Sequence, residues 1–210
     1  MSKIKNILFD MGNVLIRWDP ALFVSRLKLD AADSALLVRE VYGGVLWVML
    51  DRGVVTEAEV VARLRERVPE RLHGVLEPLV CRWDTEHLQI DGMEDLAREL
   101  SAKGFTLYLL SNAGRRHHEY WGKYAVSPLF GDRVFISADH RLLKPEAAFY
   151  ETALAHFGLD RRECLFIDDN PSNAEAACRL GLDTIVFHGD AGLLRRRLRE
   201  KGVEVSLPVS

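Results

Sequence analysis

The sequence predicts an α/β protein with a three-layer core, a parallel β-sheet with helices on both faces, and a small all-helical insertion after the first strand. Three observations predict this. A branched apolar run, Ile4 to Phe9, ends on Asp10 with Gly12 close behind. That is the pattern of a buried parallel strand delivering a carboxylate to the edge where open sheets place their ligands. From Gly92 onward, helical and strand patterns alternate, which implies crossover connections and a parallel sheet. Between these two parts, residues 17–90 read as helix with no strand pattern.

The elements follow in order. After Val14, Leu15 and Ile16, Asp19-Pro20 reads as a helix start, with Asp capping and Pro at the first helical position. It opens a helix over Ala21 to Leu29. A second helix is expected within Asp33 to Trp47. Thr56-Glu57-Ala58-Glu59 has the capping-box spacing, and Val60, Val61, Leu64 and Val68 form the apolar side of the helix through Arg67. Leu72 to Trp83 reads as a weaker helix interrupted near Pro78. In the alternating part, Met93 to Ala102 is a helix closed by Lys103-Gly104. Phe105 to Leu110 is a strand ending at Ser111-Asn112, Arg116 to Tyr124 a helix, and Val134 to Ser137 a short strand. Lys144-Pro145 precedes a helix over Ala147 to Phe157, closed by Gly158. Cys164 to Ile167 is a strand ending at Asp168-Asp169, Asn173 to Leu180 a helix closed by Gly181, and Thr184 to Phe187 the last strand. The arginines within Leu194 to Lys201 read as the solvated face of a surface helix. The division that results is a core of 1–16 and 91–210 and a helical domain of 17–90.

The 210 residues are 48% hydrophobic, enough for one good core with a small satellite. A formal net charge of −3 gives no electrostatic case for nucleic acid or an anionic membrane as partner. Cys81, Cys164 and Cys178 are isolated and lack metal-ligand spacing. Reduced thiols of this kind fit a cytoplasmic protein. Met1 to Lys5 runs straight into the first strand without a signal-peptide pattern. The apolar stretch Val45 to Leu50, closed by Asp51 and Arg52, is too short to span a bilayer. The pattern leaves a monomer and a homodimer equally open.

In a parallel sheet the C-terminal strand ends share one edge, so Asp10, Ser111-Asn112, the loop to Lys144 and Asp168-Asp169 should converge. Three carboxylates repel one another unless a cation sits among them. Oxygen ligands suit Mg²⁺, whose shell is completed by water and substrate phosphate. Lys144 and Ser111 can hold the other phosphate oxygens, and a carboxylate such as Asp10 is a competent phosphoryl acceptor. The residues therefore suggest a site for a small phosphorylated metabolite.

The motifs Phe9-Asp10-Met11-Gly12-Asn13-Val14-Leu15, Leu110-Ser111-Asn112, Lys144-Pro145 and Phe166-Ile167-Asp168-Asp169-Asn170, followed by Asn173, resemble in order the four motifs of the haloacid dehalogenase (HAD) superfamily. The resemblance covers nearly the whole chain and implies a Rossmann-like core with a C1-type cap. Gly12-Asn13, the run Ser111 to His117, Trp121, and Lys144 to Ala147 are similar to bacterial phosphatases of α-D-glucose 1-phosphate. They resemble more loosely the phosphatase domain of soluble epoxide hydrolases. This implies a Mg²⁺-dependent phosphatase acting on a sugar phosphate such as glucose 1-phosphate. By the resemblance Asp10 is the nucleophile, Ser111 and Asn112 bind phosphate, and Lys144 steadies phosphate and nucleophile. The same resemblance assigns Mg²⁺ to Asp10, the Gly12 carbonyl and Asp169, with Asp168 in direct or indirect contact.

One position departs from the pattern. Most family phosphatases carry a second aspartate two residues after the nucleophile as general acid and base, and here that residue is Gly12. The enzyme is then slow, or acts on an undemanding ester, or draws its acid from elsewhere. Asp19, a cap residue or a water could serve, whereas Asn13 could not. The remaining alternatives are a phosphometabolite-binding or regulatory protein with weak catalysis, and a dehalogenase using Asp10 on carbon. Asp168-Asp169 argues against the dehalogenase and for a metal. Trp47, Asp51 and Arg52, at the end of an apolar helix, are candidates to lie over the site, as are Trp18 and Asp19 at the hinge. His117 is a candidate substrate contact.

Overall fold

The computed structural model of the chain describes residues 3–85 and 88–207. Met1, Ser2, Glu86, His87 and residues 208–210, which the sequence reading assigns to the two domains, lie outside the described residues. Five parallel strands form one sheet: β1 (Asn6–Phe9), β2 (Thr106–Ser111), β3 (Val134–Ile136), β4 (Cys164–Asp168) and β5 (Asp183–Val186). Their order is β3-β2-β1-β4-β5, so β1 lies at the centre, where the connections change direction and leave a crevice. Phe9 pairs with Leu109 on one side and Ile167 on the other. The Asp10 amide extends the ladder by donating to the Ile167 carbonyl at 2.8 Å. This register sets Asp10, Ser111 and Asp168 within one residue of a common level.

Strand alternation makes the layers. Ile7, Phe9, Leu107, Leu109, Leu165 and Ile167 point into one buried cluster, while Leu8, Tyr108, Leu110 and Phe166 point into another. Each face is thereby covered by apolar side chains of helices, as a two-sided parallel sheet requires. On the second face lie α9 (Ala147–Phe157), through Phe149, Tyr150, Ala153 and Leu154, and α10 (Pro171–Arg179), through Ala177. On the first face lie α6 (Met93–Ala102), α11 (Ala191–Glu200) and the helices that follow β1.

Those helices are α1 (Pro20–Ser25), α2 (Ala31–Leu37), α3 (Val45–Asp51), α4 (Glu57–Arg65) and α5 (His73–Cys81). Asp19 caps α1 by accepting from the Leu22 amide, and Thr56 with Glu59 forms the expected capping box of α4. The single helix expected within Asp33 to Trp47 is instead two. After α2 the chain makes a π-turn over Val38–Tyr42 and breaks at Gly43-Gly44 before α3. A Cβ at Gly44 would stand 2.9 Å from the Glu40 carbonyl oxygen, so the turn needs glycine. Pro78 sits inside α5 without ending it. The chain leaves and rejoins this segment side by side, with the Arg17 amide donating to Leu88 O and the Ile90 amide to Leu15 O.

After β2, Arg116 to Tyr124 is only partly α-helical, as α7 (His117–Tyr120) and a 3₁₀ turn. A short helix unmarked in the sequence pattern, α8 (Ser137–His140), follows β3 directly. On α11, Arg195 is drawn into a bond with Glu99, while Arg196, Arg197 and Arg199 are exposed. Among the described residues no helix is long and apolar enough to cross a membrane. All three cysteines are free.

Candidate active site

The loop after β1 starts the site. Asp10 is buried, and its Oδ1 accepts from the Met11 amide at 2.7 Å and from Lys144 Nζ at 2.7 Å. Lys144 is buried as well, and it also donates to Asp168 Oδ2 at 2.7 Å and to the Leu110 carbonyl at 3.0 Å. An ammonium has three donors, so all of them are taken within the protein. Lys144 therefore holds Asp10 and compensates charge.

Asp168 is equally committed. Its oxygens accept from Lys144, from Asn173 Nδ2 at 3.1 Å each and from the Asn170 amide at 2.8 Å. Asp169 is looser, accepting from Asn13 Nδ2 at 3.3 Å. Asp10, Asp168 and Asp169 each offer an oxygen, and these atoms lie within 4.8 Å of one another. Burial pushes the Asp10 carboxyl up; Lys144 pulls it down, the nearby Asp168 and Asp169 charges raise it again, and it settles at about 7. Burial and Asp168 also raise Asp169. One lysine does not balance three carboxylates, and the deficit suits a divalent cation.

Ser111 is buried at the end of β2 and lines the cavity. The Asn112 side chain is tied to the Lys144 backbone, donating to its carbonyl at 3.0 Å and accepting from its amide at 2.8 Å. It therefore sets the lysine's place from the cavity floor. Asn13 adopts a positive φ of 53°, which asparagine tolerates better than most residues. From there it accepts from the Trp18 amide at 3.1 Å and donates to Asp169. Its part as a bridge was invisible in the pattern; an Asn directly after Gly in a tight turn was the available signal.

Above the strand ends lies a cavity of about 250 Å³. Asp10, Gly12, Asn13, Ser111, Asn112, Lys144 and Asp169 form its floor, and the helical segment forms much of its wall. That wall includes Trp18, Trp47, Trp83, Leu50 and Val80, joined by Tyr120 of α7. Trp18 lies at the centre of this aromatic group, with ring centroids 5.1 Å from Trp47 and 4.7 Å from Trp83. The charged side chains of the wall are Asp51, Glu57 and Arg116. Trp83, Tyr120, Glu57 and Arg116 were not singled out by the sequence, because nothing local marks a side chain as facing a cavity.

Of the sequence candidates, Trp18, Trp47 and Asp51 line this cavity with the floor residues, and Asp19, Arg52 and His117 do not. Asp19 is spent on capping α1 and on Arg17, and its hydrogen bonds hold its carboxyl below the usual range. Arg52 pairs with Glu146 and donates to the Arg141 carbonyl. His117 is buried against Trp121, with centroids 5.5 Å apart, and burial lowers its pKa to about 3. It therefore packs as a neutral ring.

A family model described as haloacid dehalogenase-like hydrolase matches residues 4–181. Flavin mononucleotide hydrolase 1 of Arabidopsis thaliana is 25% identical over 98% of this chain and 81% of its own length. A sesquiterpene phosphatase of Aspergillus oryzae is 27% identical over 86% of this chain and 88% of its own. Among solved structures, the HAD-hydrolase YfnB of Bacillus subtilis, bound to magnesium, aligns at TM-score 0.73 and 22% identity, covering 94% of this chain and 100% of that one. A HAD family enzyme of Bacteroides thetaiotaomicron in complex with magnesium and inorganic phosphate aligns at 0.65 and 23%, covering 91% and 98%. At such identities the structural likenesses establish the fold.

Proposed function

The chain belongs to the haloacid dehalogenase-like hydrolases, and we propose that within that family it is a Mg²⁺-dependent phosphatase of a small phosphorylated metabolite. The observation that carries this reading is the group of three carboxylates around one fully engaged lysine at the mouth of the central strand. In this reading Asp10 Oδ2, the oxygen outside the bonds to Met11 and Lys144, attacks phosphorus. Lys144 keeps the carboxylate oriented and offsets its charge, and Ser111 helps hold the phosphate. Asp10, the Gly12 carbonyl and Asp169 would hold the cation, with Asp168 beside them. When bound, the cation offsets charge on the phosphoryl oxygens. The helical segment 17–90 serves as a C1-type cap on the core of 1–16 and 91–210, supplying the wall that excludes bulk water.

The substrate's leaving group meets ring and aliphatic faces, which supports a metabolite with an apolar or flat face beyond the phosphate. Flavin mononucleotide and sesquiterpenes, handled by the two relatives, each carry a large apolar moiety. A sugar phosphate such as glucose 1-phosphate remains in the class, since sugars also stack on tryptophan. One second reading has an observation in its favour: Gly12 supplies no acid, as expected of a phosphometabolite-binding protein with weak turnover.

Phosphate release from flavin mononucleotide, glucose 1-phosphate and a prenyl phosphate, with and without Mg²⁺, tests the proposal. Mg²⁺-dependent release from at least one, abolished in Asp10→Asn, is the expected result. Tight phosphate binding without release from any ester would favour the second reading.

A further inference from the structure

Gly12 leaves the reaction without the usual proton donor, and a Cβ there would already touch Trp18 Cβ at 3.5 Å. The tryptophan thus occupies the ground next to the nucleophile's loop. Across the same cavity the wall carries two acids, Glu57 and Asp51; Asp51, the last residue of α3, is the one whose carboxyl feels the Asp10 charge. Asp51 is placed with care. The Gly114 amide donates to its carboxyl, and Ser137 Oγ donates to its backbone carbonyl at 2.5 Å. Gly114 is where α3 presses on the loop after β2; a Cβ there would stand 3.3 Å from Leu50 Cγ. Gly53, at φ +69°, lets the chain turn away where a Cβ would lie 2.3 Å from the Ala138 carbonyl oxygen. Arg52 completes the clamp on Glu146 and Arg141. The end of α3 is therefore fixed to the core at several points, and Asp51 is the residue this clamp turns into the cavity.

Resting on the phosphatase reading above, we infer that Asp51 is the general acid and base of the reaction, supplied by the helical segment in place of the side chain that Gly12 lacks. In the first step Asp10 Oδ2 forms a bond to phosphorus, the ester P–O bond breaks, and the Asp51 carboxyl proton passes to the departing alkoxide, giving the free alcohol. In the second step water attacks the aspartyl-phosphate and gives a proton to the Asp51 carboxylate. The Asp10–phosphorus bond breaks, releasing inorganic phosphate and restoring both side chains. Burial raises the Asp51 carboxyl, the Gly114 amide lowers it, and the Asp10 charge raises it again, to about 7. A carboxyl in that range holds its proton near neutrality yet can release it, as a general acid requires. Asp19, by contrast, is ionised and outside the cavity.

The test compares Asp51→Asn with wild type on two esters in Mg²⁺: the best alkyl phosphate found for the wild type, and 2,4-dinitrophenyl phosphate, whose leaving group needs no proton. Asparagine keeps an acceptor for the Gly114 amide. The expected result is a roughly 10²–10⁴-fold loss of kcat on the alkyl ester. On the activated ester the variant should still release dinitrophenolate in a burst, followed by slow turnover as the phosphoenzyme waits for a base. A burst rate on the activated ester that falls as far as kcat on the alkyl ester, or no loss on the alkyl ester, would overturn the inference. Asp51→Glu and a thermal melt guard against misfolding: a variant that melts with wild type and loses the burst as fully as the alkyl activity counts against Asp51. If the wild type itself hydrolyses neither ester, the phosphatase reading fails and takes this inference with it.

Discussion

Replacing Lys144 with methionine removes the cation on which two buried carboxylates depend. Lys144 is 4% exposed and makes 2.7 Å bonds to both Asp10 and Asp168. Removing one partner of a buried ion pair costs about 3–5 kcal/mol, because the other is left uncompensated. In a chain of this size each kcal/mol shifts the melting temperature by about 2–4 °C, so a fall of roughly 6–20 °C is expected. The sign of its pH dependence also follows. The Asp10 carboxyl in the fold lies above its ordinary value of 3.8, at about 7, so ionising it costs stability as pH rises from about 4 through 7. Lys144 opposes that rise, and without it the cost grows. Melting curves at pH 5, 6.5 and 8 in the presence of a chelator should therefore show a deficit for Lys144→Met that widens with pH. A variant melting within 2 °C of wild type at pH 8, or a deficit larger at pH 5, would refute the reasoning.

Gly53→Ala forces a side chain into a positive φ and against the Ala138 carbonyl. It should lower stability by at least about 1–3 kcal/mol in urea titrations, and an unchanged midpoint would mean that α3 does not dock as described. Gly12→Ala, whose Cβ meets only ordinary contact with Trp18, should fold within about 1 kcal/mol of wild type. Burial would raise the Glu99 carboxyl, but Arg195, Ser206 and Lys103 outweigh it and hold it at about 2, against an ordinary 4.5. Its contribution is thus present above about pH 4.5 and lost as pH falls toward 2. Partly exposed and screened, it is worth about 1 kcal/mol, so Glu99→Gln should be less stable at pH 6 and show a flatter acid limb.

How much could be read in advance depended on how local the cause was. Met93–Ala102 and Ala147–Phe157 were legible because the apolar spacing lies within the element and a glycine follows just past its end. The strand ending on Asp10, and Asp168 at the end of β4, were legible for the same reason, and the parallel register then brings the two together. Asp33 to Trp47 misled because its apolar run continues across Gly43-Gly44, where backbone crowding rather than polarity ends the helix. Four-residue α8 has too few positions to show a period. At the site, the residue types at each strand end were readable, but their division of labour was not. That Lys144 spends every donor inside the protein, that Asn112 serves the lysine's backbone, and that Asn13 bridges Trp18 and Asp169 are facts of three-dimensional pairing. Asp51 reaches Asp10 only through the fold, 41 positions along the chain.

The account stands or falls on a phosphoryl group passing through Asp10. The most direct measurement is acid quenching during turnover of the best ester in Mg²⁺, followed by borohydride reduction and peptide mass spectrometry. The account predicts Mg²⁺-dependent conversion of Asp10, and of no other acid, to homoserine. Phosphate release with Asp10 left unmodified under conditions that trap a control phosphoenzyme would contradict it.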